Sequence, residues 1–258
     1  MTAIEQQSDD RAVPPFGGFN LTALTLEVRR MLRNRRTLMF VVVMPTVFFF
    51  LFSNSAKSRP GGPPVAAFVM ISMAVYGAMV GTTAGGAAVS IERSLGWSRQ
   101  LRLTPLRPAA YIAMKVVTAM VLGLIAVVVE FTVGGLNGVH LEPRVWLLSG
   151  LGAWLCSSVF AAFGLFVGFL LPSENVMQFV GPLLALLAMF GGIFIPLAAM
   201  PPTMQTIARY TPVYGVGLIA RAPLVGGLTS AAIMSVVIWT LVFGVGAMAL
   251  FRRDTSRV

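Results

Sequence analysis

The sequence predicts an all-α polytopic membrane protein with six transmembrane helices, and three observations carry that expectation. Of the 258 residues 57% are hydrophobic and 11% charged, against about 25% charged in an ordinary soluble domain, and the mean hydropathy is +0.83. Six runs are long and apolar enough to approach the roughly 20 residues that a helix needs to cross a bilayer, and they lack the in–out alternation of a membrane β-strand. The positive charge lies between and beside these runs, and mostly on one side of them.

The elements follow in order. Residues 1–19 are polar and then rich in Pro and Gly, which predicts a flexible cytoplasmic tail. Residues 20–252 form the transmembrane domain, and 253–258 a second cytoplasmic tail. From Asn20 to Arg36 the pattern is helical, with Asn20 as N-cap. Leu21, Leu24, Val28, Met31 and Leu32 share an arc of about 100°, and Arg29, Arg30, Arg33 and Arg36 lie opposite. This describes an N-terminal amphipathic helix on an anionic membrane surface. The spans are expected at about 37–53, 64–90, 109–133, 145–171, 176–198 and 227–251. Pro45 is placed to kink the first.

With the N-terminus inside, fourteen cations fall on the cytoplasmic side, counting Lys115 as snorkelling there. Five fall outside: Lys57, Arg59, Arg144, Arg209 and Arg221. This bias predicts six spans with both termini cytoplasmic. It also explains the net charge of +10 without nucleic acid, because the charge is not gathered on a soluble domain.

Several chemistries are excluded. Lone Cys156 and His140 cannot build a disulfide, a metal site or a His-based triad. Neither lysine, Lys57 after Ala56 or Lys115 after Met114, follows the glycine that a Walker A loop requires, so no ATPase site of that kind is expected. The spans also lack the paired Asp, His-Glu or Ser-His arrangements of an intramembrane enzyme.

Within the spans, Gly77, Gly81 and Gly85 recur every fourth residue, so they stack on one helix face and let a neighbouring backbone approach. Packing inside the protomer is favoured over a dimer seam. Glu130 is a carboxylate within the third span, near its outer end. Burying it is expensive, so it needs a partner, water or a cavity; a substrate contact and a hydrated vestibule both satisfy this. Tyr76 and Trp154 lie within spans and suit either a substrate pathway or core packing. Tyr111, Trp146, Tyr210 and Tyr214 fall near the interfaces and suit an aromatic belt.

The most distinctive stretch is SIERSLGWSRQLRLTPLRPAAYIAMK, Ser90 to Lys115. Its apolar residues scatter round a helical wheel, which predicts two short pieces separated near Gly96, with Pro105 and Pro108 turning the chain into span three. A glutamate, a glycine and L-x-x-TPL ahead of the third span form one pattern. A second is GGIFIPLAAMPPTMQTIARYTPVYGVGLIARAPLVGG, with G-x-F-x-P, M-P, T-P and an Arg before L-x-G-G in that order. Together the two resemble the ABC type-2 exporter permeases, nearest the antibiotic-resistance and nodulation-type members, over residues 20 to 252.

The resemblance implies a dimeric bacterial inner-membrane permease that binds two copies of a separate ATPase subunit, which holds the ATP and Mg. The second permease is another copy or a homologue. The loop after span two would be the coupling helix, with Glu92, Arg93, Gly96, Leu101 and Pro105 toward the ATPase, flanked by Glu27 and Arg30 of the first helix. Pro196, Pro201, Pro202 and Pro212 would lie in outer re-entrant helices between spans five and six. The substrate expected is amphipathic: a drug, antibiotic or lipid moved outward. Two alternatives stay open on the residues alone: an ion-coupled secondary transporter, which needs titratable groups near mid-membrane and has Glu130, and a non-transporting membrane scaffold or sensor subunit.

Overall fold

A computed structural model describes residues 19–55, 64–96 and 108–256. The expected tail up to residue 18, the loop 56–63 and the stretch 97–107, with Leu101 and Pro105, lie outside the described residues. Among the described residues all regular structure is helical: α1 (Leu21–Leu32), α2 (Arg35–Ser55), α3 (Val65–Ala87), α4 (Val89–Ser94), α5 (Pro108–Leu136), α6 (Pro143–Cys156), α7 (Ser158–Leu170), α8 (Ser173–Phe190), a 3-10 turn (Leu197–Ala199), α9 (Pro202–Arg209), α10 (Pro212–Val225) and α11 (Ser230–Ser256).

Five segments of the described chain are long and apolar enough to cross a membrane: Arg35–Ser53, Val65–Ser94, Ala109–Leu136, Pro143–Leu170 and Ser230–Arg253. The run expected at 176–198 behaves differently. Its helix, α8, stops at Phe190 because Gly192 takes φ +84°, a conformation that costs glycine little and other residues much. Pro196 then opens a 3-10 turn. The run expected at 145–171 is two helices meeting at Ser157, whose hydroxyl bonds back to the Trp154 carbonyl at 2.6 Å. Such a bond competes with the helix ladder and bends the rod.

α3 is the centre of the bundle. It has no charged residue and many small ones, so it is apolar all round, the signature of a helix covered on every side. Met70, Ile71, Met73, Ala74, Ala78 and Met79 are fully buried. Around it stand α2, α5 and α7, with α6, α8 and α10 also touching; α11 packs on α7 and α10. Close approach is possible because a Cβ on Gly85 would lie 2.6 Å from the Ala119 Cα, and one on Gly81 would lie 3.2 Å from the Leu122 carbonyl. Gly77 faces Ala126, Pro45 and Val41. The glycine face of α3 therefore meets α5 and α2 of the same chain.

α1 begins as the pattern predicts, with the Asn20 side chain accepting from the Thr22 amide at 2.8 Å. No residue of it is buried, and Leu21 and Leu26 are 71% and 61% exposed. Such apolar exposure suits a helix lying at a membrane surface.

Candidate functional site: a charge cluster at one end of the bundle

α3 ends at Ala87, and the chain turns through Ala88 into the six-residue α4. That short helix carries Glu92 inward. Glu92 is 4% exposed and accepts three bonds: from Arg30 of α1, from Lys115 of α5 at 2.5 Å and from the Tyr111 hydroxyl at 2.7 Å. Glu27 of α1 completes the set, bonded to Lys115 and to Arg30 at 2.8 Å. Two carboxylates and two cations thus balance, which is the condition for placing charges out of water at tolerable cost. Burial works against the charged Arg30, but the bonds and charges of Glu92 and Glu27 outweigh it and raise its pKa above the ordinary arginine value.

The neighbouring Arg93 points the other way. It donates to the Phe169 and Gly168 carbonyls at 2.7 and 3.2 Å, at the end of α7 where helix carbonyls lack intrahelical partners. Beneath the cluster lies an apolar floor of Val89, Tyr111, Leu165, Phe169 and Phe251, with Tyr111 stacked on Phe251. The two side chains Glu92 and Arg93 therefore tie α4 to α1, α5 and α7. What this segment turns outward is Ile91 and, at the C-cap, Leu95, 51% and 68% exposed, followed by Gly96 at φ +76°, where an added Cβ would meet nothing within 4 Å among the described residues.

Of the residues singled out in the sequence, the structure brings Glu27, Arg30 and Glu92 together, and adds two that sequence reasoning assigned elsewhere. Tyr111, expected in an aromatic belt, is buried and bonded to Glu92. Lys115, expected to snorkel, is buried between two carboxylates. A single lysine just ahead of a long apolar run was the available signal.

The three pathway candidates each engage a different neighbour. Tyr76 is buried, its ring 4.9 Å from that of Phe194 and 6.1 Å from Phe48. Trp154 donates its indole N–H to the Met120 carbonyl at 2.9 Å. Glu130 is 1% exposed, with Oε2 3.2 Å from Thr46 Oγ1. None of the three lines the open cleft of about 940 Å³ at the opposite end, whose walls include Arg209, Tyr210, Tyr214, Ser235 and Trp239.

At that opposite end Arg221, counted in the sequence among outer cations, is buried inside α10. It donates to the Gly192 carbonyl at 2.7 Å and to Ser72 Oγ at 3.2 Å, and lies 4.8 Å from the centre of the Phe68 ring. It straps the irregular chain after α8 to α3.

Comparison with known proteins places this architecture. The ABC-2 type transporter family matches residues 21–223, a span that holds the whole charge cluster and Arg221. A protein of Bacillus subtilis (strain 168) named "Putative transport permease YvfS" is 30% identical over 194 residues, covering 74% of this chain and 79% of its own length. With apolar helices long enough to span, a buried charge cluster at one end of them and a family match over most of its length, the chain belongs to the ABC-2 type transporter family.

Proposed function

We propose that this chain is the membrane-spanning permease subunit of an ATP-binding-cassette exporter, moving an amphipathic drug, antibiotic or lipid outward with ATP hydrolysed by a separate ATPase subunit. The observation that carries this reading is the fastening of α4. A six-residue helix beside the 97–107 stretch is pinned by Glu92 to α1 and α5 and by Arg93 to α7, while it offers Ile91 and Leu95 outward. A push on that stretch would reach three helices at once. A ligand or partner shifts an equilibrium only through contacts that differ between two states, and α4 is built to transmit such a difference.

In this reading the charged end is cytoplasmic, both termini lie there, and the membrane is the bacterial inner membrane. Two ATPase subunits, holding ATP and Mg, dock on Ile91, Leu95 and the 97–107 stretch, with Gly96, Leu101 and Pro105 in the contact. A second permease completes the pathway. The resemblance of the two sequence signatures to exporter permeases supports the direction, and the apolar composition is compatible with the substrate class.

The test is reconstitution of the chain with its ATPase in vesicles loaded with ATP on one side only. Outward, ATP-dependent movement of a fluorescent amphiphile supports the proposal. Movement driven by a proton gradient without ATP contradicts it.

A further inference from the structure

Glu130 has no role in the proposed coupling, yet it is among the most completely buried side chains of the protein. It stands on α5 facing α2, where Thr46 is its polar neighbour. Thr46 Oγ1 lies 2.8 Å from the Val42 carbonyl and 3.2 Å from Glu130 Oε2. A hydroxyl has one hydrogen to give and two lone pairs to receive. A carbonyl can only accept, so the Thr46 hydrogen belongs to the shorter bond with Val42. The bond to Glu130 then needs its hydrogen from the other side. The second carboxyl oxygen, Oε1, is buried and has no hydrogen-bond partner, which a carboxylate would tolerate poorly and the C=O of a neutral acid much better.

We infer that Glu130 is a proton-binding site within the membrane: it is held as a carboxylic acid, with the proton on Oε2 donated to Thr46 Oγ1. The surroundings demand this. From Thr37 to Ser55, α2 has no charged residue; α3 and α7 have none; and from Val116 to Leu136 α5 has Glu130 alone. The cation of α6 is Arg144, in its first turn. Lys115 lies about 22 Å back along α5 at 1.5 Å per residue and is engaged by Glu27 and Glu92. The titratable group of α3 is Tyr76, whose ring is turned into Phe48 and Phe194. An ionised carboxylate here would be a buried charge without a counter-ion, and protonation is the usual escape.

A metal ion fits less well. Hard cations take six or more oxygens, and among the described residues no group of three acidic, His or Cys side chains could hold one. The proton acts as a clasp. While it is present, α2 is bonded to α5 across the seam. When it leaves, the bond loses its hydrogen and an anion is left between two apolar helices, so α2 is pushed away.

The experiment is infrared spectroscopy of the full chain in lipid bilayers at neutral pH. It does not involve the ATPase, so it stands or falls apart from the proposed function. Of the other acidic residues, Glu92 is the one within an apolar span, and there it is paired with Lys115 and Arg30; the rest lie outside the spans. The expected result is a protonated-carboxyl C=O band that Glu130→Gln abolishes and that Thr46→Val moves to higher frequency by removing the acceptor. No such band, or one unchanged by both substitutions, would overturn the inference.

Discussion

Glu92 and Lys115 meet at 2.5 Å, from helices on either side of the 97–107 stretch. Their carboxylate and ammonium are both about 5% exposed, so the charged segment between two spans is closed at its base by a buried ion pair. Glu92→Gln leaves Lys115 and Arg30 with one carboxylate between them. Removing one partner of a buried pair costs about 3 kcal/mol or more, and a thermal unfolding midpoint lowered accordingly is expected, with little dependence on salt because buried pairs are weakly screened. A double-mutant cycle with Lys115→Met should return a coupling energy of about 1–3 kcal/mol.

Position within this segment should separate fastening from docking. Leu101→Arg, in the stretch assigned to the ATPase, and Leu95→Arg, at the exposed C-cap of α4, are expected to weaken ATPase association at least tenfold with the melting midpoint of the permease unchanged. Glu92→Arg is expected to lower both, because it sets a third cation beside Lys115 and Arg30. Pull-down of the ATPase alongside a melting curve of each variant distinguishes the two patterns.

At the other end, Arg221→Met removes the strap on Gly192 and Ser72. A hydrogen bond from a charged donor contributes about 1.5–3 kcal/mol, partly offset because the buried cation no longer has to be desolvated. The expected global loss is therefore about 1–2 kcal/mol. The local effect should be larger: amide exchange of residues 191–194 should quicken while that of α3 and α5 stays slow.

Gly85→Val is expected to prevent folding. A Cβ at residue 85 would stand 2.6 Å from the Ala119 backbone, and a helix backbone cannot yield as a flexible side chain can. Gly244→Ala in α11 is the control: an added Cβ would meet nothing within 4 Å among the described residues, and the change should be neutral or up to about 1 kcal/mol stabilising through helix propensity. Detergent size-exclusion profiles of the two variants check this.

Much of this architecture was legible in the sequence because membrane spans are written in composition. The capping of Asn20 and the α3 glycine face depend on local periodicity; the helix expected to run on to Arg36 instead stops at Leu32, and Arg36 belongs to α2. Tertiary pairings were not legible. Lys115 and Tyr111 sit one helical turn apart on α5, and nothing in their spacing says that Glu92 folds back between them. Arg221 reads as one more outer cation until Gly192 turns the chain after α8 and brings a carbonyl to it. The early stop of α8 was signalled by Gly191 and Gly192, but the apolar run through Ile195 masked it. Glu130 was legible as costly; its Thr46 neighbour was not, because it depends on how α2 and α5 are brought together.

The central claim is that this ABC-2 type permease works through a separate ATPase held at its charged end. Its most direct test is purification of the tagged full chain from its native membrane in mild detergent, with the co-eluting proteins identified and ATP turnover measured. The account predicts a soluble ATPase with a Walker A loop, in roughly equal amount to the permease, and turnover that Leu101→Arg abolishes by releasing it. A clean permease with no ATPase and no turnover, from membranes where the chain is intact, would contradict it.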